Sequence, residues 1–267
     1  MGKYLKVALG VLLALAVRAH AQTTLRVEDL LDPSESDQRK ILAQVTGNAL
    51  QYAAGLPDFV CTEVTRHNVD QTGSGRYWRL AGTIDGELSY TSHKSDYRIL
   101  KVNGKEDNSD HNLLGGFAPP DAFGGLLSWI FDTKFKTSFK WNSWTALEKR
   151  PTYVFAYTVP QQSSQLAATA KARESVGFYG NVYIDSETKQ IMRINVVGQS
   201  PPKVLVRDIN FDVDYALEKI GDKEYPLPAK ANFRVRDNKR LVWDEIEFRH
   251  YRTASEPKEK FSQRKPE

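Results

Sequence analysis

The order of apolar and polar positions divides the chain into helical and extended stretches. After Asp32-Pro33, the residues Ile41, Leu42, Val45, Ala49, Tyr52 and Ala53 recur at spacings of three and four, which puts them on one face of a helix. Ser34 with Asp37 resembles an acidic capping box at its start, and Gly55 and Pro57 end it. From Asp58 the pattern turns extended. Strands are predicted at Phe59–Thr65, Arg76–Ser92 and Asp96–Val102, with Asn103-Gly104 as a hairpin turn because both positions accept positive φ. Lys105–Pro120 reads as a long loop. Asp121 is expected to cap a short helix running to Asp132, with Phe123, Leu126, Leu127, Ile130 and Phe131 as its apolar face and Gly124-Gly125 as its weak point.

Strands resume at Phe135–Leu147 and Thr152–Val159. Gln161–Ser175 is polar and Ala-rich, and is expected to be mobile. Gly177–Asp185 and Gln190–Val197 form a hairpin around Ser186–Lys189. Val204–Ile220 is a long alternating strand, and Glu224–Arg236 and Leu241–Arg252 complete the series. About ten antiparallel strands are too many for a flat sheet. The expected fold is mainly β (α+β): a curved half-barrel with the N-terminal helix and the inserted short helix packed on its concave face.

Composition adds a compartment. The chain has 267 residues and a formal charge of +4. Lys3, Lys6 and Arg18 supply most of that excess and lie in a segment without acids. Lys3 and Lys6, the apolar run Val7–Val17 and the Ala19-His20-Ala21 site read as an export signal, with cleavage expected between Ala21 and Gln22. The run is short for a membrane span. The expected layout is a signal peptide at 1–21, one β-rich domain at 22–254 and a disordered charged tail at 255–267, in the periplasm or outside the cell. Without the signal the charge is close to neutral, which argues against a nucleic-acid partner. Cys61 is the sole cysteine, so no intrachain disulfide forms, and its strand context suggests a buried, inert thiol.

Chemistry-bearing motifs are sparse. There is no G-x-S-x-G, H-E-x-x-H, C-x-x-C or P-loop, and His67, His93, His111 and His250 stand far apart. No cofactor is expected. Asp107–His111 is rich in oxygen and imidazole ligands but lacks the glycine and closing glutamate of a calcium loop, so it reads as a solvated loop. Asp208, Asp212 and Asp214 share one strand face, the polar outside of a half-buried sheet. The aromatic crowding is more informative. Phe123, Leu127, Trp129, Ile130, Phe131, Phe139, Trp141 and Trp144 either fill the core or line an apolar ligand cavity beneath a movable helix.

The hairpin GFYGNVYIDSETKQIMRINVV looks like the G-x-V-x-x-D-x-x-T-x-x-I-x-R-I signature of periplasmic lipoprotein-carrier and lipoprotein-sorting (LolA/LolB-like) proteins. The stretch DYALEKIGDKEYPLPAKANFRVR resembles the next part of such sheets. LPDFVCTEVTR, WTALEKRPTYVFAYTVP and VWDEIEFRHYR are similar to a group of exported bacterial proteins. The carrier resemblance implies transient binding of acyl chains inside a half-barrel, with a lipid or an acylated protein as partner. Three readings follow: a non-enzymatic envelope protein binding a lipid, lipoprotein or other hydrophobic ligand; an interaction module with a filled core; or a hydrolase using dispersed histidines and acids.

Overall fold

The computed structural model describes residues 26–107, 122–166, 175–200 and 206–254. The expected export signal and charged tail, most of Asp107–His111, and Asp121 lie outside these residues. Helix α1 spans Glu35–Gly55, and the side chain of its N-cap, Ser34, accepts from the backbone N–H of Asp37 at 3.2 Å. The Ser34 hydroxyl also donates to the Asp37 carboxylate at 2.7 Å, so both residues of the expected cap take part. Helix α2 is shorter than the pattern suggested, Gly125–Phe131, because Gly124 supplies no side-chain cap and leaves the preceding residues in turns.

The strands are β1 (Phe59–Asp70), β2 (Arg79–Thr91), β3 (Lys94–Val102), β4 (Lys105–Glu106), β5 (Ser138–Leu147), β6 (Arg150–Val159), β7 (Gly177–Asp185), β8 (Ile191–Gln199), β9 (Val206–Ile220), β10 (Lys223–Asp237) and β11 (Arg240–Thr253). They form one eleven-stranded sheet in the order β4-β3-β2-β1-β11-β10-β9-β8-β7-β6-β5. Every pairing is antiparallel. The sheet is curved and open, ending at β4 and β5, which is the half-barrel the alternation implied. Asn103 and Gly104 hold positive φ of 50° and 76° in the expected hairpin. The Asp185 carboxylate accepts from the N–H groups of Glu187 and Thr188 at 2.7 and 2.9 Å and shapes the turn between β7 and β8.

Two registers explain the two faces. On the concave face, Phe155, Val182, Ile194, Val213, Ala231, Ile246, Thr65 and Ile84 sit side by side across eight strands. On the convex face, Asn181, Asn195, Asp212, Asn232, Glu245 and Arg66 form the matching row. Asn195 donates to Asp212 at 2.8 Å, Asp214 pairs with Arg193, and Asp208 pairs with Arg236. The three β9 aspartates therefore belong to a solvated outer surface, as their spacing suggested.

The segment after β6 differs from expectation where it is described. Gln161–Ser163 is a 3-10 turn, the Ser164 hydroxyl donates to the carbonyl of Val176 at 2.6 Å, and Leu166 is buried. A polar-looking stretch is thus tied down at both ends by one hydroxyl and one apolar side chain. Residues 167–174 lie outside the described part.

Candidate functional site

The concave face and its helical cover form the candidate site. Helix α1 fully buries three side chains, Ile41, Val45 and Ala49, and α2 fully buries Leu126, Leu127, Ile130 and Phe131. Between α1, α2 and the sheet runs a narrow crevice of about 50 Å³ lined mainly by apolar atoms, including Ala49, Tyr52, Leu127, Ile191, Tyr215 and Pro226. That volume admits a water molecule or two and no acyl chain. A wider, open hollow of about 430 Å³ lies where the end of α1 meets the start of α2, bordered by Leu50, Ala53, Tyr90, His93 and Gly124. In this conformation side chains fill the space under the helices.

The aromatic residues picked out in the sequence fall into two groups. Phe123 packs among Phe59, Tyr90, Phe248 and Tyr251, with ring centroids 5.1 to 6.4 Å apart. Phe131 stacks on Phe139 at 5.5 Å, and Phe139 contacts Tyr157. Trp141 meets Trp144, Tyr153 and Phe155 edge-on. Trp144 lies 4.5 Å from Tyr153, and its indole N–H donates to the carbonyl of Leu31 at 3.0 Å, fastening the segment before α1 to edge strand β5. Ile130 is fully buried, and Trp129 is half-buried against the same core. Of the eight, Leu127 lines the crevice.

The same face carries a polar group that sequence reasoning passed over. Glu63, Thr65 and His67 alternate along β1 with the parity of Phe59 and Cys61, and Asp244 stands between Val242 and Ile246 on β11. His67 pairs with Asp244 in register, and its Nδ1 lies 2.6 Å from the Asp244 carboxylate. The Thr65 hydroxyl donates to Glu63 at 3.2 Å. Burial pushes the Glu63 carboxyl up to about 7; the Thr65 hydrogen bond opposes that rise and the Asp244 charge adds to it. Tyr97 reaches over Gly86, the β2 partner of Glu63, where a Cβ would come within 2.2 Å of the phenol oxygen. Burial, and then the Glu63 charge, raise the Tyr97 hydroxyl well above its ordinary range. Cys61 is buried, and burial followed by the Glu63 charge raises its thiol far above the usual value, so the thiolate does not form. The available signal was parity, but Val60 and Val64 on the other face blur it.

Chemically, His67 and Asp244 form an oriented imidazole–carboxylate pair, and Glu63 is a carboxyl poised near neutrality. Thr65 gives its hydroxyl to Glu63 rather than to His67. Among the described residues, no group of three or more His, Cys, Asp or Glu side chains could hold a metal ion, and no helix is long and apolar enough to cross a membrane.

The geometry defines a class, an open curved antiparallel sheet with helices on its concave side. No protein-family model matches the sequence, and no curated protein matches it. Solved structures with a similar course include a DUF1329 family protein from Desulfovibrio piger, at 11% identity and a TM-score of 0.38, covering 82% of this chain and 94% of that one. A LolA superfamily protein from Nitrosomonas europaea has 8% identity and a TM-score of 0.38, covering 81% and 94%. A Vibrio parahaemolyticus structure, assigned to an outer membrane lipoprotein-sorting protein domain, has 12% identity and a TM-score of 0.39, covering 82% and 93%. Two of these neighbours carry LolA-superfamily or lipoprotein-sorting names. Likeness at this level concerns the course of the chain and carries no residue role or ligand.

Proposed function

We propose that this chain is an exported cell-envelope protein that binds a lipid, an acylated protein or another hydrophobic ligand on the concave face, beneath α1. The role is binding rather than catalysis, and the expected compartment is the periplasm or the exterior. The observation that carries the reading is the light fastening of α1. Its 21 residues are held by three buried side chains, Ile41, Val45 and Ala49, and by the half-buried Leu42, Leu50 and Tyr52, above a continuous apolar row. Burying the isoleucine, valine and alanine contributes about 4–6 kcal/mol, and the three half-buried side chains add about 2–4 kcal/mol. At about 0.8 kcal/mol per methylene, an acyl chain of about twelve carbons offsets that loss when it takes the place of α1.

Mass spectrometry of the purified exported protein is expected to find copurified lipid, and a fluorescent fatty-acid probe is expected to bind saturably. Ile41→Ala, which loosens α1, is expected to tighten the probe at least tenfold, because less has to be displaced. Absence of both lipid and probe binding overturns the reading. A hydrolytic reading has one observation in its favour, the His67–Asp244 pair beside Glu63. Ester hydrolysis that disappears in His67→Ala would favour it over simple binding.

A further inference from the structure

The end of the sheet away from the β2–β3 hairpin is built as a rigid, cationic, partly apolar rim. The Asp70 carboxylate organises the loop between β1 and β2. It accepts from the backbone N–H groups of Thr72, Gly75 and Arg76 at 2.8, 2.7 and 3.2 Å, and from the hydroxyls of Thr72 and Ser74. These hydrogen bonds, that of the Thr72 hydroxyl foremost, hold the Asp70 carboxyl well below the usual carboxylate range. The loop is also locked onto the β10–β11 turn. Gly73, at φ +68°, lies so close that a Cβ would stand 2.1 Å from the carbonyl oxygen of Lys239, and Arg236 donates to the Gly73 carbonyl at 3.1 Å.

This fixed frame presents apolar side chains to solvent. Tyr77 is 66% exposed and Leu80 is 60% exposed. Between them Trp78 leans on Trp243 at 5.6 Å, with the Arg234 guanidinium 4.4 Å from the Trp243 ring on the same outer face. Beside the loop opens a broad hollow of about 740 Å³ lined by Arg207, Arg236, Lys239 and Arg240. Arg76 lies on the same loop, and Arg79 opens β2 directly after it. Against these six cations stand Asp208 and Asp237, paired with Arg236 and Arg240, and Asp70, which is taken up by the loop backbone. The rim is therefore net positive in a chain that is near neutral beyond its first residues.

We propose that this rim docks on an anionic phospholipid surface. Guanidinium and ammonium groups meet the head-group phosphates, while Tyr77 and Leu80 sit at the boundary with the acyl region. A soluble polyanion would use the same cations but gives no reason to hold Tyr77 and Leu80 outward on a braced loop. An amphipathic aromatic beside basic residues is the composition a membrane interface rewards. The surface is separate from the concave face, so this inference does not depend on the ligand-binding reading.

Vesicle co-sedimentation tests it. The exported protein is expected to sediment with phosphatidylglycerol-containing vesicles, to release progressively as salt rises, and to ignore vesicles of phosphatidylcholine alone. Each basic side chain near such a surface contributes about five-fold in affinity, so Arg79→Gln with Lys239→Gln is expected to lose about 25-fold. Tyr77→Ser with Leu80→Ser is expected to leave only weak binding that disappears at physiological salt. Lys94→Gln with Lys223→Gln, at the opposite end of the sheet, is expected to bind like the parent. All variants share one N-terminus, and circular dichroism confirms their folding. Equal sedimentation with both vesicle types overturns the proposal. So does equal loss in the two lysine- and arginine-depleted variants, or binding of inorganic polyphosphate with no vesicle binding.

Discussion

Replacing Glu63 with Gln tests whether the concave polar group is seated as described. The wild-type carboxyl moves from an ordinary 4.5 to about 7 in the folded chain. Between those values the folded state keeps a proton that the unfolded state has released. Stability is therefore full below pH 4.5 and falls as pH rises through 7, with a slope of about 1.4 kcal/mol per pH unit. The full loss is at most about 3 kcal/mol. Glutamine is the neutral isostere, and its amide oxygen still accepts from the Thr65 hydroxyl. The variant is expected to match the parent near pH 4.5 and to exceed it by about 1–3 kcal/mol at about pH 8. Urea unfolding of both proteins at half-unit steps across that window gives the difference curve, in which all other titrating groups cancel. Parallel stability curves would refute the reasoning, because Glu63 would then be solvated and the site open to water.

Two further perturbations probe the cover. Phe123→Ala removes a ring packed among Phe59, Tyr90, Phe248 and Tyr251 and is expected to cost about 3–5 kcal/mol, lowering Tm by about 10 °C in a thermal melt; a cost below about 1 kcal/mol would mean that the segment leading into α2 is not docked on the sheet. Gly47 lies mid-way along α1 with nothing within 4 Å of the place a methyl group would take, so Gly47→Ala is expected to add about 0.5–1 kcal/mol in urea unfolding; a destabilised variant would mean that α1 needs a bend there.

Local features were legible where one residue's chemistry decides the conformation. Ser34 and Asp37 announce the start of α1, Asn103-Gly104 the turn between β3 and β4, and the alternation from Ile209 onward the two faces of β9. Strand adjacency was not legible, because β1 pairs with β11 through backbone groups that every residue carries. The polar group was hidden for a related reason. Glu63, Thr65 and His67 look like outward-facing residues until the partner strand places Phe248, Ile246 and Asp244 opposite them. Ser164 and Leu166 look like part of a loose polar stretch because a single buried hydroxyl and leucine do not make a period. The aromatic residues identified a packed interior, but their spacing could not say which of them would reach the crevice.

The pairing of β1 with β11 also sets a timetable. As the chain emerges, β1 finds β2 within a few residues, but its other neighbour, β11, comes after all the other described strands. Until β11 arrives, β1 and β10 each present an unsatisfied edge, and the two halves of the sheet cannot be joined. Long-range antiparallel pairing of this kind closes slowly. The sheet therefore stays in two parts until β11 has emerged, a state that can be threaded through a narrow channel or captured by a holding chaperone before that strand zips the two halves together.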